Sequence, residues 1–360
     1  MMLEGSLAFL SATLLTSLWI VLLRGRIAER LGLIDHPGKR KQHEGRIPTV
    51  GGLAILLTLF IALPGTARMP GLAALLAAMA MLGALGVLDD RRGVRLGIKF
   101  SIQIAAAALV VFLGHTWLAD LGELFGPGSV ALGILAIPFT LFAIVGLVNA
   151  TNMVDGMDGL AGGLVAVALF GFLVLAAAAG RMAEAQLIVF ALGALTGFLL
   201  FNMRHPWNRR ATVFLGDAGS LSLGLLVVWL AISLSQGAGR AMSPAIALWL
   251  FALPLMDCVS IILRRMSKGR SPFHADRQHL HHVLLLAGYS SAKAVAIILA
   301  LAIGLASIGV LGYVSKVPEA IMFWAFLALF GLYHYAVKHA WRLMKVMHRL
   351  HDAGGQHSNE

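Results

Sequence analysis

Acidic side chains lie in short polar segments of this chain that follow or precede long apolar runs. Asp89 and Asp90 form an adjacent pair after one such run, and Asp217 lies between two glycines in the segment FLGDAGS. An adjacent carboxylate pair can bind a cation, act as a base or position a phosphate. Mg²⁺ prefers one or two carboxylates, water and substrate phosphates as its ligands. The structural alternative for each segment is a helix cap, because Asp is also a favoured N-cap residue.

Polar residues recur every third position in the segment NATNMVDGMDGL. They are Asn149, Asn152, Asp155 and Asp158. In a helix, this spacing places them near one face. A carboxylate at the centre of a membrane helix costs ~2.5–3.5 kcal/mol on insertion scales, so two carboxylates and two amides on one face at the membrane boundary need partners. We interpret the segment as part of a site, and the alternative is a capped loop that turns at its glycines.

A fourth segment, SPFHADRQHLHH, brings Arg277 close in sequence to His279, His281 and His282. The three imidazoles could bind Zn²⁺. However, no cysteine accompanies them, and the adjacent His281 and His282 cannot easily face one ion. Arginine together with several imidazoles is more typical of a loop that recognises a diphosphate or a sugar.

The distribution of basic residues places these segments at a membrane. Hydrophobic residues make up 59% of the 360 residues and charged residues only 12%. All but four of the 28 Lys and Arg residues fall in five short segments between apolar runs. Cytoplasmic loops of membrane proteins carry excess Lys and Arg, so the five segments are predicted to be cytoplasmic. The net charge of +11 then indicates contact with anionic membrane lipids rather than with nucleic acid.

We predict an all-α polytopic integral membrane protein, with its N-terminus outside and its C-terminus in the cytoplasm. About 20 apolar residues are needed for each span. Eleven spans are predicted, at residues 6–23, 48–67, 70–88, 99–117, 130–148, 158–179, 183–201, 218–235, 244–263, 293–313 and 319–337. Residues 1–340 would form a single transmembrane catalytic domain and residues 341–360 a basic cytoplasmic tail. The single cysteine, Cys258, excludes a disulfide framework, and we leave Asp257 and His115 out of the site.

In order along the chain, the motifs PTVGG, LDD, NATNMVDGMDGL, FLGDAGS and the His-rich segment resemble those of the polyprenyl-phosphate N-acetylhexosamine-1-phosphate transferases. The form SPFHADRQHLHH is similar to the branch that uses UDP-GlcNAc and undecaprenyl phosphate. The translocases of peptidoglycan synthesis have a different sequence at this point. The resemblance covers about the first 290 residues, with the motifs in the same order.

The resemblance implies a role for each matching residue. Asn152 and Asp217 would be metal ligands; Asp89, Asp90, Lys99 and Asp155 would be catalytic; Asp158 and Phe214 would hold uracil; Arg277, His279, His281 and His282 would contact GlcNAc and the diphosphate. The implied cofactor is Mg²⁺, or Mn²⁺ in its place.

The implied reaction transfers GlcNAc-1-phosphate from UDP-GlcNAc to undecaprenyl phosphate and releases UMP. It would take place at the cytoplasmic face of the bacterial inner membrane and begin a cell-surface polysaccharide such as an O-antigen. Two other classes remain open at this point. One is a transporter with acidic residues at its cytoplasmic face, and the other is a membrane zinc hydrolase that uses the His-rich segment. The number of spans is also compatible with a homodimer.

Overall fold

The computed structural model describes residues 2–35, 45–62, 69–269, 271 and 279–356. In this part of the chain the regular structure is almost entirely helical. The helices are α1 (Met2–Leu23), α2 (Arg26–Leu31), α3 (Gly51–Ala62), α4 (Leu72–Arg92), α5 (Leu96–Ala108), α6 (Ala136–Val154), α7 (Leu160–Ala178), α8 (Met182–Asn202), α9 (Gly216–Ser235), α10 (Pro244–Leu250), α11 (Ala252–Met266), α12 (Leu280–Leu286), α13 (Ser291–Val314) and α14 (Glu319–Gln356). Two short antiparallel strands, β1 (Ile34–Asp35) and β2 (Ile47–Pro48), precede α3.

Within the described ranges, nine helices are long and apolar enough to cross a membrane, and a bent pair of helices makes up to ten. This confirms a polytopic all-α membrane protein. Each of the eleven predicted spans coincides at least in part with a helix. However, α3 has 12 residues in the part of the chain that is described, which stops at Ala62 before residues 63–68, and a span needs ~20. The count of eleven and the orientation of the chain therefore stay predictions.

The ninth predicted span, 244–263, is broken rather than continuous. α10 ends at Leu250, and α11 begins at Ala252 after a bend of 89°. Pro254 explains the break, since it lacks an N–H and its ring would clash with the carbonyl of Leu250 in a continuous helix. In the first turn of a new helix proline is tolerated, because the amide there has no partner within the helix.

The last span continues past its predicted end. α14 runs from Glu319 to Gln356 without a break, so the predicted boundary between residues 340 and 341 falls inside a helix. The division into a catalytic domain and a tail stays a prediction.

The centre of the bundle is α9, which packs against α3, α4 and α6. It is apolar around most of its circumference, as expected for a helix that is buried on all sides. Its N-terminus lies beside the C-termini of α4 and α6 and the N-terminus of α5. The polar segments at these four helix ends are therefore brought to one face of the bundle.

Glycines allow the close approach of α9 to its neighbours. A Cβ atom at Gly52 would overlap the backbone of Gly219, and one at Gly86 would overlap the backbone of Ala218. Small residues at such crossings are the usual way for membrane helices to pack closely. Here they bring α3 and α4 against the first turn of α9.

Replacing Gly86 with Ala is expected to destabilise the bundle. The new methyl group would meet the backbone of Ala218, so α4 and α9 must separate, and overpacking of this kind typically costs about 1–3 kcal/mol. Thermal unfolding in detergent should show a lower midpoint for Gly86→Ala. Gly97→Ala is the matched control, because a Cβ there meets nothing within 4 Å. An unchanged midpoint for Gly86→Ala would contradict the tight crossing.

Candidate active site

Asp217, in the first turn of α9, joins three helices at the polar face. Its Oδ1 accepts a hydrogen bond from Asn152 Nδ2 at 2.9 Å, and its Oδ2 accepts one from Lys99 Nζ at 3.1 Å. Asn152 lies near the end of α6 and Lys99 in the first turn of α5. The Asp217 side chain therefore points across to other helices, which a simple capping residue would not do.

Asp90 fulfils the capping role that the sequence suggested for Asp217. The backbone N–H of Asp217 donates to both carboxylate oxygens of Asp90, at 3.2 Å to Oδ1 and 3.0 Å to Oδ2. It is one of the amides at a helix start that have no partner within the helix. Gly216 has a φ of +70°, and a Cβ there would overlap Asp90. The glycine before Asp217 is thus needed for this contact.

Asp89 and Lys99 complete the centre of the cluster. The Lys99 ammonium forms ion pairs with Asp89 and with Asp217, so it lies between two carboxylates from different helices. Asp89 also accepts a hydrogen bond from the backbone N–H of Val94 at 2.6 Å, which fixes the carboxylate at the turn between α4 and α5. Five predicted residues, Asp89, Asp90, Lys99, Asn152 and Asp217, are therefore in direct contact.

The three-residue periodicity of the NATNMVDGMDGL segment is helical only in its first half. α6 ends at Val154, so Asp155 and Asp158 lie in the following turn, which ends at Gly159 with a φ of +80°. The expectation that all four residues lie on one helical face is thus wrong for these two.

Asp155 still belongs to the electrostatics of the cluster. Burial, followed by repulsion from Asp217, Asp90 and Asp158, raises the pKa of its carboxyl to about 8. The raised pKa favours the protonated carboxyl at pH 7, and the repulsion shows that Asp155 lies close to the other acids of the cluster.

Asp158 is held from the loop between α8 and α9. Its Oδ2 accepts hydrogen bonds from Arg204 Nε at 2.8 Å and from the backbone N–H of Ala211 at 3.4 Å. Phe214 follows in the same loop, and its backbone N–H donates to Pro48 O at 2.8 Å. This bond joins the PTVGG segment to the FLGDAGS segment. Sequence reasoning missed Arg204, because nothing in the sequence pairs it with Asp158.

Asp257 lies beside the His-rich segment, although the sequence analysis left it out of the site. It accepts a hydrogen bond from His279 Nδ1 at 2.7 Å. The ring of His281 stacks on that of His279 with a centroid distance of 5.4 Å and an interplanar angle of 8°. Burial, followed by repulsion from His282 and His279, lowers the pKa of His281 to about 3, so this ring is neutral at pH 7. Arg277 lies outside the described residues.

The His-rich segment, as far as it is described, has poor geometry for zinc. Two parallel stacked rings direct their nitrogen lone pairs into separate planes, whereas zinc requires both nitrogens within about 2.1 Å of one ion. Among the described residues, no three His, Cys, Asp or Glu side chains are grouped as a metal site on their own.

A large cavity opens beside the acidic cluster. Its volume is about 1,410 Å³. Polar residues line it at the end where the cluster lies, and these include Lys99, Gln103, Asn149, Asn152, Arg265 and His279. Apolar residues line its opposite end, and these include Leu118, Leu124, Phe139, Phe142 and Phe323. The cavity thus follows α5 and α6 along their length. The span Leu96–Leu113 has 18 residues, so at 1.5 Å per residue it is roughly 27 Å long.

The donor set of the cluster fits a hard divalent cation. Asp217 and Asn152 supply a carboxylate and an amide that already face one another. Mg²⁺ usually takes its remaining ligands from water and substrate phosphates rather than from an all-protein cage. A polar end that includes Lys99, Asn152 and Arg265 and an apolar cavity of membrane length together suit a phosphate that carries a lipid chain.

Comparison with known proteins identifies the family. Residues 72–235, from α4 to the end of α9, match the profile of glycosyl transferase family 4. The chain is 37% identical over 351 residues to undecaprenyl-phosphate alpha-N-acetylglucosaminyl 1-phosphate transferase of Escherichia coli K12, covering 97% of this chain and 95% of the relative. The protein of that name from Yersinia pestis is 36% identical over 93% of this chain and 92% of its own length. The one from Haemophilus influenzae is 37% identical over 90% and 92%. With this identity along nearly its whole length, the chain belongs to glycosyl transferase family 4, among these multi-pass membrane phosphosugar transferases.

Proposed function

We propose that this protein transfers GlcNAc-1-phosphate from UDP-GlcNAc to undecaprenyl phosphate. The observation that carries the proposal is the continuity between the acidic cluster and the apolar cavity of about 1,410 Å³. A polyprenyl chain could occupy the apolar end while its phosphate reaches Lys99 and Asn152, both of which line the polar end. The shared name of the bacterial relatives supports the same acceptor and the same sugar.

In the proposed reaction, an oxygen of the lipid phosphate attacks the phosphorus atom that carries the sugar. The new P–O bond forms the undecaprenyl diphosphate linkage, the bond to the UMP oxygen breaks, and UMP leaves with the electron pair. The attacking oxygen is already anionic, so the reaction depends mainly on positioning and on charge neutralisation. No protein carboxylate has to remove a proton from it.

Asn152 and Asp217 would hold Mg²⁺, or Mn²⁺, in this site. When bound, the ion would neutralise negative charge on the diphosphate. Lys99 would bind a phosphate oxygen beside it, with Asp89 and Asp90 positioning Lys99 and the start of α9. Asp155, predicted to be catalytic, would lie beside the cluster with its carboxyl largely protonated at pH 7, and Asp158 and Phe214 would hold the uracil. His279, together with Arg277, His281 and His282, would contact the sugar and diphosphate.

The test of this function is turnover by the purified protein in detergent. UDP-[¹⁴C]GlcNAc with undecaprenyl phosphate and Mg²⁺ should give a radiolabelled lipid and an equal amount of UMP. UDP-GalNAc should give much less product. No labelled lipid with either sugar, or UMP release that does not require the lipid phosphate, would overturn the proposal.

Arg204 is expected to support nucleotide binding through Asp158. It holds one oxygen of that carboxylate at 2.8 Å, which leaves the other for the uracil N3–H. Arg204→Ala should raise KM for UDP-GlcNAc and weaken inhibition by UMP about tenfold, the effect of roughly 1.4 kcal/mol for one charge-assisted contact. Arg209→Ala, a change to an exposed arginine in the same loop, is the matched control. Equal effects of the two changes would indicate general electrostatic attraction instead.

We also propose that the acidic cluster faces the cytoplasm of a bacterial inner membrane. The excess of Lys and Arg at this face supports that orientation. A cysteine at position 209, in the loop between α8 and α9, should resist a membrane-impermeant maleimide in intact cells, whereas one at position 316, between α13 and α14, should react. The native Cys258 is buried, and labelling of the protein without an added cysteine gives the background signal. The reverse labelling pattern would contradict the orientation.

A further inference from the structure

Asp257 is a buried carboxylate within the bent pair of helices, and it has three hydrogen-bond donors. His279 Nδ1 lies 2.7 Å from its Oδ2. The backbone N–H of Leu280 and the hydroxyl of Tyr333 donate to its Oδ1, at 3.2 Å and 2.8 Å. Asp257 is 4% exposed and His279 is 6% exposed. An acid at such depth is costly, so it is a candidate for a functional role.

The hydrogen bond to Asp257 determines which nitrogen of the His279 ring is available to a ligand. Because Nδ1 is taken by the carboxylate, Nε2 is the ring nitrogen left for a ligand. A carboxylate on one ring nitrogen sets the tautomer and the ring orientation at the other nitrogen, as it does in many metal and hydrolase sites. His279 also lines the cavity that contains Lys99 and Asn152.

Tyr333 controls the rotation of the carboxylate. It comes from α14, whereas Asp257 lies on α11 and His279 at the start of α12. With the tyrosine hydroxyl on Oδ1, Oδ2 remains directed at the imidazole. The last span of the bundle is thereby connected to the His-rich segment through one hydroxyl group.

We propose that Asp257 and Tyr333 are positioning residues, which hold His279 with its Nε2 directed toward the diphosphate of the sugar donor. This inference rests on the function proposed above. It assigns a role in the reaction to α14, which lies outside the region that matches the family profile. The alternative is a structural one, in which the three hydrogen bonds only join α11, α12 and α14.

A double-mutant cycle separates these roles. Asp257→Asn keeps the shape, but an amide has one acceptor oxygen and so cannot serve donors on both sides as the carboxylate does. It should lower kcat/KM for UDP-GlcNAc about 10–100-fold, as is typical when the partner of a site histidine is changed. In a His279→Gln background, Asp257→Asn should lower kcat/KM less than about twofold further, because the group it positions is already gone.

Tyr333→Phe should lower kcat/KM by a smaller factor, and it too should have little further effect in the His279→Gln background. Because this change removes only one hydroxyl group, it tests the proposal even if Asp257→Asn folds poorly. Thermal unfolding in detergent monitors the fold of every variant. In addition, the stabilisation of the protein by UDP-GlcNAc should fall in Tyr333→Phe, while that by UMP stays unchanged. UMP lacks the sugar and the second phosphate that His279 would contact.

Ser260→Ala is the matched control. It breaks the hydrogen bond of 3.0 Å between Ser260 Oγ and His334 Nδ1, which joins the same two helices, α11 and α14, without touching His279. Ser260→Ala should leave kcat/KM unchanged. The positioning role would be overturned if Asp257→Asn or Tyr333→Phe lowered kcat/KM by the same factor in the His279→Gln background as in the wild-type protein. It would also be overturned if Ser260→Ala lowered kcat/KM as much as these two changes do. Absence of turnover by the wild-type protein would instead reject the proposed function.

Discussion

Replacing Asp217 with Asn is expected to lower kcat by at least about 10²-fold, the effect seen when a group that stabilises transition-state charge is removed. The change keeps the shape of the side chain and removes its charge. Asp217 accepts hydrogen bonds from Asn152 and Lys99 and is the carboxylate proposed to hold Mg²⁺. Turnover measured over a range of Mg²⁺ concentrations should show both a lower maximum and a requirement for more Mg²⁺.

A purely structural role for Asp217 predicts a different result. An acid in the first turn of a helix contributes about 0.3–1 kcal/mol through the helix dipole, so its loss would lower the unfolding temperature slightly and leave turnover nearly intact. Asp120→Asn, on the loop after α5 and away from the cluster, controls for the removal of one acidic group. A well-folded Asp217→Asn variant with wild-type turnover would exclude the metal role.

The charges of the cluster are the reason for proposing a cation in this site. Asp89, Asp90 and Asp217 bring three acidic side chains to the site, and Lys99 forms ion pairs with two of them, Asp89 and Asp217. In the proposed reaction three phosphates, two from the nucleotide sugar and one from the lipid, would also approach this site. At an effective dielectric constant of about 20, two unit charges at 4 Å interact by about 4 kcal/mol. A divalent ion is the simplest way to offset this repulsion.

The sequence was sufficient to predict the cluster because membrane spans alternate in direction. Asp89 ends one predicted span, Asn152 ends another, and Asp217 begins a third, so span parity alone places them at one face. Their direct contact additionally requires the close packing that glycines such as Gly52 and Gly86 permit. The positions of the spans could therefore be predicted from the lengths of the apolar runs. The alternating direction of the spans then predicts that the three residues lie at one face of the membrane.

Pairs formed between distant segments could not be predicted in the same way. Asp257 and His279 are 22 residues apart and meet because the start of α12 packs against α11, a tertiary contact that hydropathy does not reveal. Apolar length cannot distinguish a broken span from a straight one, although Pro254 was a usable signal. Asp257 itself carried a signal too, since an acid within a membrane span is a functional candidate.

Lys99→Gln is expected to produce the second large loss, about 10²–10³-fold in kcat/KM, because it removes the ammonium proposed to bind a phosphate oxygen. Lys99→Arg should retain part of the activity, since it keeps the charge but replaces a compact ammonium with a planar fork. Turnover assays at saturating Mg²⁺ measure both variants. Near-normal activity of Lys99→Gln would exclude Lys99 from the site.

The double variant Lys99→Gln with Asp89→Asn distinguishes binding of substrate from neutralisation of protein charge. Lys99 pairs with both Asp89 and Asp217, so the lysine could serve only to keep these carboxylates from repelling each other. In that case, removing one carboxylate should restore much of the turnover lost in Lys99→Gln. If Lys99 binds phosphate, the double variant stays as inactive as the single one, because the ammonium that contacts the substrate phosphate is still missing. We expect the second result, and recovery to near wild-type turnover would assign Lys99 to the charge balance of the protein alone.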